Sequence, residues 1–233
     1  MHGASLLESE IRMPISKTLH IIWIGDESKR PDALIETWQR MNPLFRVKIW
    51  GNQDLAGGRW HLVPEIRAWL ARELCGVADL MRWEILYRFG GVAVDADSYC
   101  VRPLEDWLLE PECFAVWESE IARPGLICNN ALGSIAGHPL IGQIITDIRQ
   151  DTSLMQGMAW EKLGPARITN TVRSHRYTDI TVYPSHYFIP EHFSGLRYKG
   201  SGPVFARQEW GSTLQSYGRI GKKLPEETLS GSR

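Results

Sequence analysis

The stretch Gly90-Gly91-Val92-Ala93-Val94-Asp95-Ala96-Asp97 decides the fold of this chain. Two glycines open a short apolar run, and the run ends in two carboxylates that are two positions apart. An apolar run of this length between turn residues predicts a strand buried within a sheet. Two aspartates at the end of such a strand are costly unless a positive group lies between them. We therefore expect them to bind a divalent cation, which prefers oxygen ligands and bridges phosphate oxygens.

The segments on either side predict alternating strands and helices. Residues 18–25 have the pattern of a buried strand that ends in a glycine turn, and residues 78–89 carry the wide apolar stripe of a helix. Within that helix, Glu84 and Arg88 have the spacing of an i, i+4 ion pair. Further strands are predicted at 45–50, 113–117, 125–132 and 179–183, and further helices near Pro31, Pro64 and Pro139. This alternation predicts an α/β fold whose mostly parallel central sheet has helices on both faces.

Ligands of such sheets lie beyond the carboxyl ends of the strands, so the turns at 23–25 and 95–97 are expected to border one cleft. Asp79 and Arg82 are three positions apart on a helix and share a face. They form either an ordinary intrahelical ion pair or, beside a sugar, a set of hydroxyl-binding donors and acceptors. Trp23 is likewise either a core residue or a platform for a flat ligand, whereas His20 is expected to be a hydrogen-bonded histidine of the sheet.

Composition limits the classes of function. The chain has 233 residues, a formal net charge of −1 and four dispersed cysteines. The charge gives no basic field for nucleic acid, and no apolar run reaches the about 18 residues of a membrane span. Cysteines without a C-x-x-C pair favour reduced thiols in a cytoplasmic protein over a zinc knuckle or a disulfide framework. After Tyr198 the sequence becomes irregular and rich in glycine, and residues 199–233 are expected to form a flexible lid and tail.

Several segments resemble, in order along the chain, the family 32 glycosyltransferases and the catalytic domains of the large clostridial glucosylating toxins. The most specific block covers residues 78–97 and joins the predicted helix to Asp95-Ala96-Asp97. Shorter matches are residues 17–25, Asn129-Asn130-Ala131, His138-Pro139, Gly164-Pro165, Tyr183-Pro184 and Phe188-Ile189-Pro190. The resemblance covers about residues 15–215. It implies one GT-A domain over residues 1–233, a nucleotide-sugar donor, a divalent metal (usually manganese) and retention of anomeric configuration.

The resemblance also implies how the donor base and the metal are held. Trp23 would stack on the base, and the backbone around Ile22 and Ile24 would meet the edge of the base. Asp95 would reach the ribose or a metal-bound water, and Asp97 would bind the metal directly. Ala96, between the two aspartates, belongs to the same donor-binding turn.

Around the transferred sugar, the resemblance implies a second group of residues. Asp79 and Arg82 would bind hydroxyls of the donor sugar. Asn130, or its neighbour Asn129, would lie near the sugar that is transferred. Together with Asp97, the residues Asp79, Arg82 and Asn130 are therefore the predicted catalytic set.

The chain departs from the family pattern at two places. Ala93 stands where relatives usually carry tyrosine. The C-terminal signature, typically a histidine near a Ser-Trp pair, is present only as the segment 208–214. If Glu209 and Ser212 match the toxin-type Glu-x-x-Ser motif, Glu209 is the third metal ligand, Ser212 contacts the donor, and Leu214 replaces the tryptophan at the β-phosphate. Alternatively, Gln208 stands at the position of a metal-binding histidine.

The sequence thus predicts a retaining, metal-dependent glycosyltransferase that uses Mn²⁺ or Mg²⁺. We expect a UDP-sugar as donor, with a GDP-sugar as the other candidate, and a glycan, lipid-linked or other hydroxyl acceptor, as in polysaccharide biosynthesis. A lipid-linked acceptor would bring the protein to a membrane surface. One alternative is a catalytically weak nucleotide-sugar-binding protein. Another is a nucleotidyltransferase, but residues 23–27 do not resemble the glycine-rich, lysine-bearing loop that this class requires.

Overall fold

The computed structural model of the protein describes residues 14–220. The strands are β1 Thr18–Ile22, β2 Arg46–Trp50, β3 Gly91–Asp95, β4 Ser98–Cys100, β5 Cys113–Ser119, β6 Arg123–Ser134, β7 Thr181–Tyr183 and β8 Ala206–Gln208. The helices are α1 Asp32–Met41, α2 Asn52–Gly57, α3 Val63–Leu70, α4 Leu74–Phe89, α5 Pro139–Gln150, α6 Ala159–Lys162 and α7 Pro165–His175. Every strand and helix expected from the sequence is present.

Six strands form a sheet in the order β2-β1-β3-β6-β5-β7. β1 is parallel to β2 and β3, and β5 is parallel to β7, whereas β6 runs antiparallel to β3 and β5. The predicted mostly parallel α/β sheet is confirmed, because three of these five pairings are parallel. The strands β1, β2, β3 and β5 end at one edge of the sheet, so the segments that follow them are neighbours.

Alternate residues of the strands face two separate apolar cores. On β3, Val92 and Val94 pack in a core that includes Trp38 of α1. Ala93, between them, points to the opposite face and packs in a core that includes Trp83 of α4. This alternation follows from the two-residue period of a strand, and it places α1 and α4 on opposite faces of the sheet.

A tight turn joins α4 to β3. Gly90 and Gly91 adopt positive φ angles of 60° and 94°. A Cβ atom at Gly91 would lie 2.6 Å from the carbonyl oxygen of Thr18, so a side chain at this position would separate β3 from β1. Next to the turn, His20 is hydrogen-bonded as expected: one ring nitrogen contacts the Gly90 carbonyl at 2.9 Å, and the other accepts from the Trp50 indole at 3.1 Å.

Glu84 connects α4 to the start of α3. Glu84 is fully buried, and its carboxylate oxygens accept hydrogen bonds from the backbone N–H groups of His61 and Leu62, both at 2.7 Å. Arg88 instead donates to the carbonyl oxygen of Arg59 at 3.2 Å. The predicted Glu84–Arg88 ion pair is therefore wrong. Since α4 is buried on several sides, Glu84 faces backbone donors rather than solvent.

The sequence analysis missed the helix α7. Three of its residues are buried, namely Ile168, Thr169 and Thr171. The two threonines are buried because they are hydrogen-bonded: Thr169 accepts from the backbone N–H of Ile127 at 2.9 Å, and Thr171 donates to Asp147 at 2.7 Å. A helix whose inner face is partly polar gives only a weak apolar period.

The segment after Tyr198 is not irregular throughout. β8 lies within the predicted lid and pairs antiparallel with β4 in a two-stranded sheet. Residues 221–233 of the predicted tail lie outside the described part of the chain. Among residues 14–220, no helix combines the length and the apolar character that a membrane crossing requires. The four cysteines are free thiols.

Glu84 gives a prediction for stability. The substitution Glu84→Ala leaves two backbone donors without an acceptor and should lower the free energy of unfolding by about 2–4 kcal/mol. Glu84→Gln keeps one acceptor oxygen and should lose about half as much. Urea titration measures both changes. Glu36→Ala, at an exposed position of α1, is the control. Equal stability of Glu84→Ala and Glu36→Ala would contradict the assigned role.

Candidate active site

The two aspartates of the deciding stretch converge on one side chain. Asp95 is the last residue of β3, and Asp97 follows in the turn to β4. The amide nitrogen of Gln208, at the end of β8, lies 3.2 Å from Asp95 Oδ2 and 2.8 Å from Asp97 Oδ1. A single donor group therefore occupies the position between the two carboxylates.

Asp97 is buried, and further donors surround it. Its Oδ2 accepts from the backbone N–H of Gly211 at 2.6 Å and lies 3.5 Å from the Tyr217 hydroxyl. Burial, and then the nearby charge of Asp95, raises the pKa of Asp97 to about 7. Because both causes disfavour the charged carboxylate, a positive ligand between the aspartates would stabilise it.

Arg82 lies behind Asp95. Its guanidinium is buried and donates to Asp95 and to the backbone carbonyl of Asn129. Burial lowers the pKa of Arg82, but the charges of Asp95 and Asp79 outweigh it and raise the pKa above its usual value. Asp79 is 4.0 Å from Arg82 Nε, so the stronger partner of Arg82 is Asp95 rather than its neighbour on the helix.

Asp79 is held by the next strand of the sheet. The side-chain amide of Asn129, on β6, donates to Asp79 Oδ1 at 2.7 Å. Burial, the largest influence, raises the pKa of Asp79 to about 7. A buried carboxyl near this value can accept from or donate to a ligand hydroxyl at neutral pH. The structure therefore brings together Asp79, Arg82, Asp95, Asp97 and Asn129.

Trp23 belongs both to the core and to the edge of this group. It is 9% exposed, its indole N–H donates to the Asp26 carbonyl at 3.1 Å, and it packs in the core of the α1 face. The Tyr217 ring meets the Trp23 ring edge-on, with 4.9 Å between centroids. The Tyr217 hydroxyl is also 3.1 Å from that of Ser212. The predicted base platform and Ser212 are thus linked to Asp97 through Tyr217.

The other predicted donor contacts lie at the ends of β1 and β3. Ile22 and Ala96 are buried, and Ile24 is partly buried against the core of the α4 face. Their backbones, rather than their side chains, border the cleft at the sheet edge.

Three buried polar atoms on candidate site residues have no hydrogen-bond partner among the described residues. They are Arg82 Nε, Asn130 Oδ1 and Gln208 Oε1. Buried polar atoms are normally hydrogen-bonded, so an unpartnered one at such a position is a candidate for contact with a ligand. Rotation of the Gln208 amide would turn Oε1 toward the aspartates, and this would give a cation three oxygen ligands. The donor set therefore fits a divalent cation.

Glu209 does not complete this set. No group of three or more His, Cys, Asp or Glu suited to a metal is present within residues 14–220. The backbone N–H of Glu209 donates to the carbonyl of Asp97 at 2.9 Å, and burial raises the pKa of the Glu209 carboxyl. Adjacent residues of an extended segment point to opposite sides, and Gln208 is the one that faces the aspartates. Of the two alternatives from the sequence, the geometry favours Gln208.

Sequence reasoning did not find Gly211 and Tyr217. Gly211 acts through its backbone N–H, which leaves no sequence signal. Trp210, just before it, has a positive φ of 55° and is fixed by its indole contact with the Glu191 carbonyl at 3.2 Å. This backbone conformation, uncommon outside glycine, directs the next N–H toward Asp97.

Glycosyltransferases are among the known proteins that resemble this chain in sequence and in fold. No family profile matches the chain. The inositol phosphoceramide mannosyltransferase 3 of Schizosaccharomyces pombe is 35% identical over 71 residues, which are 30% of this chain and 18% of that protein. The uncharacterized glycosyltransferase L373 of Acanthamoeba polyphaga mimivirus is 24% identical over 185 residues, covering 76% of this chain and 73% of that protein. The chain thus spans less than a fifth of the yeast relative.

Among solved structures, the UDP-bound glycosyltransferase domain of the YGT toxin matches with a TM-score of 0.54 and 10% identity, over 92% of this chain and 88% of that domain. At this identity the match shows the fold alone. The mixed α/β GT-A fold expected from the sequence is confirmed, and so is the resemblance to glycosyltransferases. Membership of family 32 stays a prediction.

The contact between Tyr217 and Trp23 can be tested in the free protein. A Cβ atom at Gly211 would lie 2.4 Å from the Tyr217 ring, so Gly211→Ala should displace that ring from Trp23. The indole N–H resonance of Trp23 should then shift in a ¹H–¹⁵N NMR spectrum. Gly218→Ala is the matched control, because no atom lies within 4 Å of the added Cβ. If the two variants leave this resonance equally unchanged, the contact is absent in solution.

Proposed function

We propose that this chain is a metal-dependent glycosyltransferase that moves a sugar from a nucleotide-diphosphate donor to a hydroxyl acceptor. The observation that carries the proposal is the pair of converging aspartates, with the unpartnered atoms Arg82 Nε and Gln208 Oε1 on the two side chains that contact them. Such a group suits a ligand that combines a cation, a diphosphate and sugar hydroxyls. The similarity in sequence and fold to glycosyltransferases supports the same conclusion.

Asp97, Asp95 and the Gln208 amide oxygen would hold the cation, Mn²⁺ or Mg²⁺. When bound, the cation supplies positive charge that offsets the negative charge on the departing diphosphate. Arg82 keeps Asp95 in place through the guanidinium contact, and its Nε, which lies 4.0 Å from Asp79 and makes no hydrogen bond, would bind a donor oxygen. Asp79 and Asn129 form a fixed pair that orients the hydroxyls of the donor sugar.

Transfer breaks the bond between the anomeric carbon and the diphosphate oxygen, and the acceptor oxygen forms the new bond to the anomeric carbon. Asp79 is already hydrogen-bonded to Asn129, and with its pKa raised to about 7 a large share of this carboxyl is protonated at neutral pH and cannot attack the sugar. We therefore propose that the acceptor attacks the face from which the diphosphate leaves, with retention of configuration. The acceptor proton passes to the departing diphosphate. A covalent sugar trapped on Asp79, or on Glu118 or Glu120 at the end of β5, would overturn this part of the proposal.

We favour a UDP-sugar as the donor. The YGT toxin domain, which has a similar fold and was solved with UDP bound, supports a uridine nucleotide. A GDP-sugar is the second candidate. We propose a glycan or lipid-linked acceptor, and the named mannosyltransferase relative supports an acceptor of this kind. The free state of all four cysteines supports a reducing, cytoplasmic location.

A nucleotide-sugar-binding protein without transfer activity is the competing function. It is favoured by the uncharged Gln208 at the third ligand position. Slow hydrolysis of the donor by the purified protein with manganese, in the absence of acceptor, supports the enzyme. Donor binding with no hydrolysis supports the binding protein.

Asp97 is the residue whose loss should matter most. Asp97→Ala should abolish donor hydrolysis and the manganese-dependent part of nucleoside diphosphate binding, because one carboxylate alone holds the cation poorly. Calorimetry with UDP, with and without manganese, measures the binding. Asp106→Ala, at an aspartate whose side chain is 80% exposed, is the control. Unchanged manganese-dependent affinity in Asp97→Ala would remove this site from the mechanism.

Trp23 tests the location of the base. Trp23→Ala should weaken nucleotide binding by about 1–3 kcal/mol if the base stacks on the indole. Because Trp23 also packs in the core, a thermal melt must accompany the titration. A normal dissociation constant in a folded variant would leave Trp23 with a core role alone.

A further inference from the structure

A second concave site lies at the β2 edge of the sheet. It is a cavity of about 540 Å³ between β2, the loop after α2 and the end of α4. Small-molecule sites commonly have volumes of about 300–1,000 Å³. We call it the basic-aromatic pocket, after three cationic and three aromatic side chains that line it: Lys48, Arg59, Arg88, Trp50, Trp60 and Phe89.

The aromatic side chains form one continuous surface. The Trp50 and Phe89 rings are stacked, with 5.6 Å between centroids and 29° between planes. The Trp60 ring meets Trp50 edge-on at 6.2 Å. Phe89 is 47% exposed, although it ends a helix that is otherwise largely buried. An exposed aromatic ring in a concave site provides a surface for the apolar face of a ring-shaped ligand.

The cations lie around this surface and exceed the acids. Lys48 Nζ is 5.0 Å from the centroid of Trp50, and the Arg88 guanidinium is 5.0 Å from that of Phe89. Asp54 is the one acidic side chain in the lining and pairs with Lys48 at 2.7 Å. Within the described chain, the exposed guanidinium of Arg59 has no hydrogen-bond or ion-pair partner. Positive charge in a concave surface attracts an anion, and guanidinium groups bind phosphate in a bidentate manner.

The basic-aromatic pocket is separate from the candidate active site. None of its lining residues belongs to the group around Asp95 and Asp97. β2 is the edge strand, whereas β3, which carries Asp95, lies inside the sheet with β1 between them. A ligand in this pocket is therefore bound in addition to the donor of the proposed reaction.

We propose that the basic-aromatic pocket binds a phosphorylated sugar or cyclitol ring. The ring packs on Trp50 and Phe89, and the phosphate binds Arg59 and Arg88. The same chemistry is offered by a free sugar phosphate and by the head group of an inositol phospholipid. A molecule bound at this pocket is held on the protein without entering the donor cleft.

Two probes distinguish a free sugar phosphate from a lipid head group as the ligand of the basic-aromatic pocket. Glucose 6-phosphate, titrated into ¹⁵N-labelled protein, should shift the indole N–H resonances of Trp50 and Trp60. Glucose and inorganic phosphate should each bind at least about tenfold more weakly, since each lacks one of the two contacts. Vesicles of phosphatidylcholine with phosphatidylinositol, compared with phosphatidylcholine alone, test the lipid head group in a flotation assay.

Two charge-reversal variants, one inside the pocket and one outside it, show whether the probes bind in the basic-aromatic pocket. The double variant Arg59→Glu, Arg88→Glu should weaken binding of either probe by at least about tenfold, because two phosphate contacts become repulsive. The double variant Arg40→Glu, Arg67→Glu changes the net charge equally at exposed positions elsewhere and should bind as the unmodified protein does. Phe89→Ala, with Leu44→Ala as an exposed apolar control, tests the aromatic surface should the first variant fail to fold.

The outcomes are distinct from those of the transferase proposal, because a protein without donor hydrolysis would still bind these probes. Binding of glucose 6-phosphate alone assigns a free ligand, and binding of the inositol lipid vesicles assigns a head group. Either result, when lost in the pocket variants, supports the proposal. Three results overturn it: no binding of either probe, equal loss in both double variants, or inorganic phosphate binding as tightly as glucose 6-phosphate.

Discussion

Arg82 carries a positive charge into the interior of the protein, and the arrangement of the candidate active site depends on it. Its guanidinium contacts Asp95 at the end of β3 and the carbonyl of Asn129 on β6. Without this charge, Asp79, Asp95 and Asp97 would form an uncompensated acidic group at a mostly buried position. Arg82 thereby sets the position of α4 relative to two strands, and the hydrogen bond between Asn129 and Asp79 follows from that position.

Local patterns were sufficient to predict the centre of this arrangement. The apolar stripe of residues 78–89 predicts a helix, and the glycine pair, the apolar run and the two aspartates that follow predict a tight turn and a buried strand. The structure has α4, the turn at Gly90 and β3 in these places. The shared helix face of Asp79 and Arg82 was also predictable, because residues three positions apart on a helix are neighbours. Such predictions work because the partners are close in sequence and share a regular element.

Contacts between distant segments were not predictable. Gln208, Gly211 and Tyr217 reach Asp97 across 111, 114 and 120 positions, and one of them acts only through its backbone. The sequence offered Glu209 as the third ligand, with Gln208 as the alternative, and the contacts of the Gln208 amide with both aspartates favour Gln208. Glu84 shows the same limit. Its helical spacing predicted an ion pair with Arg88, but the buried carboxylate accepts hydrogen bonds from the backbone N–H groups of residues 61–62 instead.

The pairing of β8 with β4 has a consequence for how the protein matures. Strands β1 and β3 can associate soon after synthesis, but the Gln208 contact with Asp97 closes a loop of more than one hundred residues. Such a closure has a high contact order and belongs to the slower steps of folding. Before β8 has been synthesised and paired, Asp95 and Asp97 therefore lack the Gln208 amide that lies between them in the complete fold. The three oxygen ligands proposed for the cation would then come together only after β8 has paired with β4.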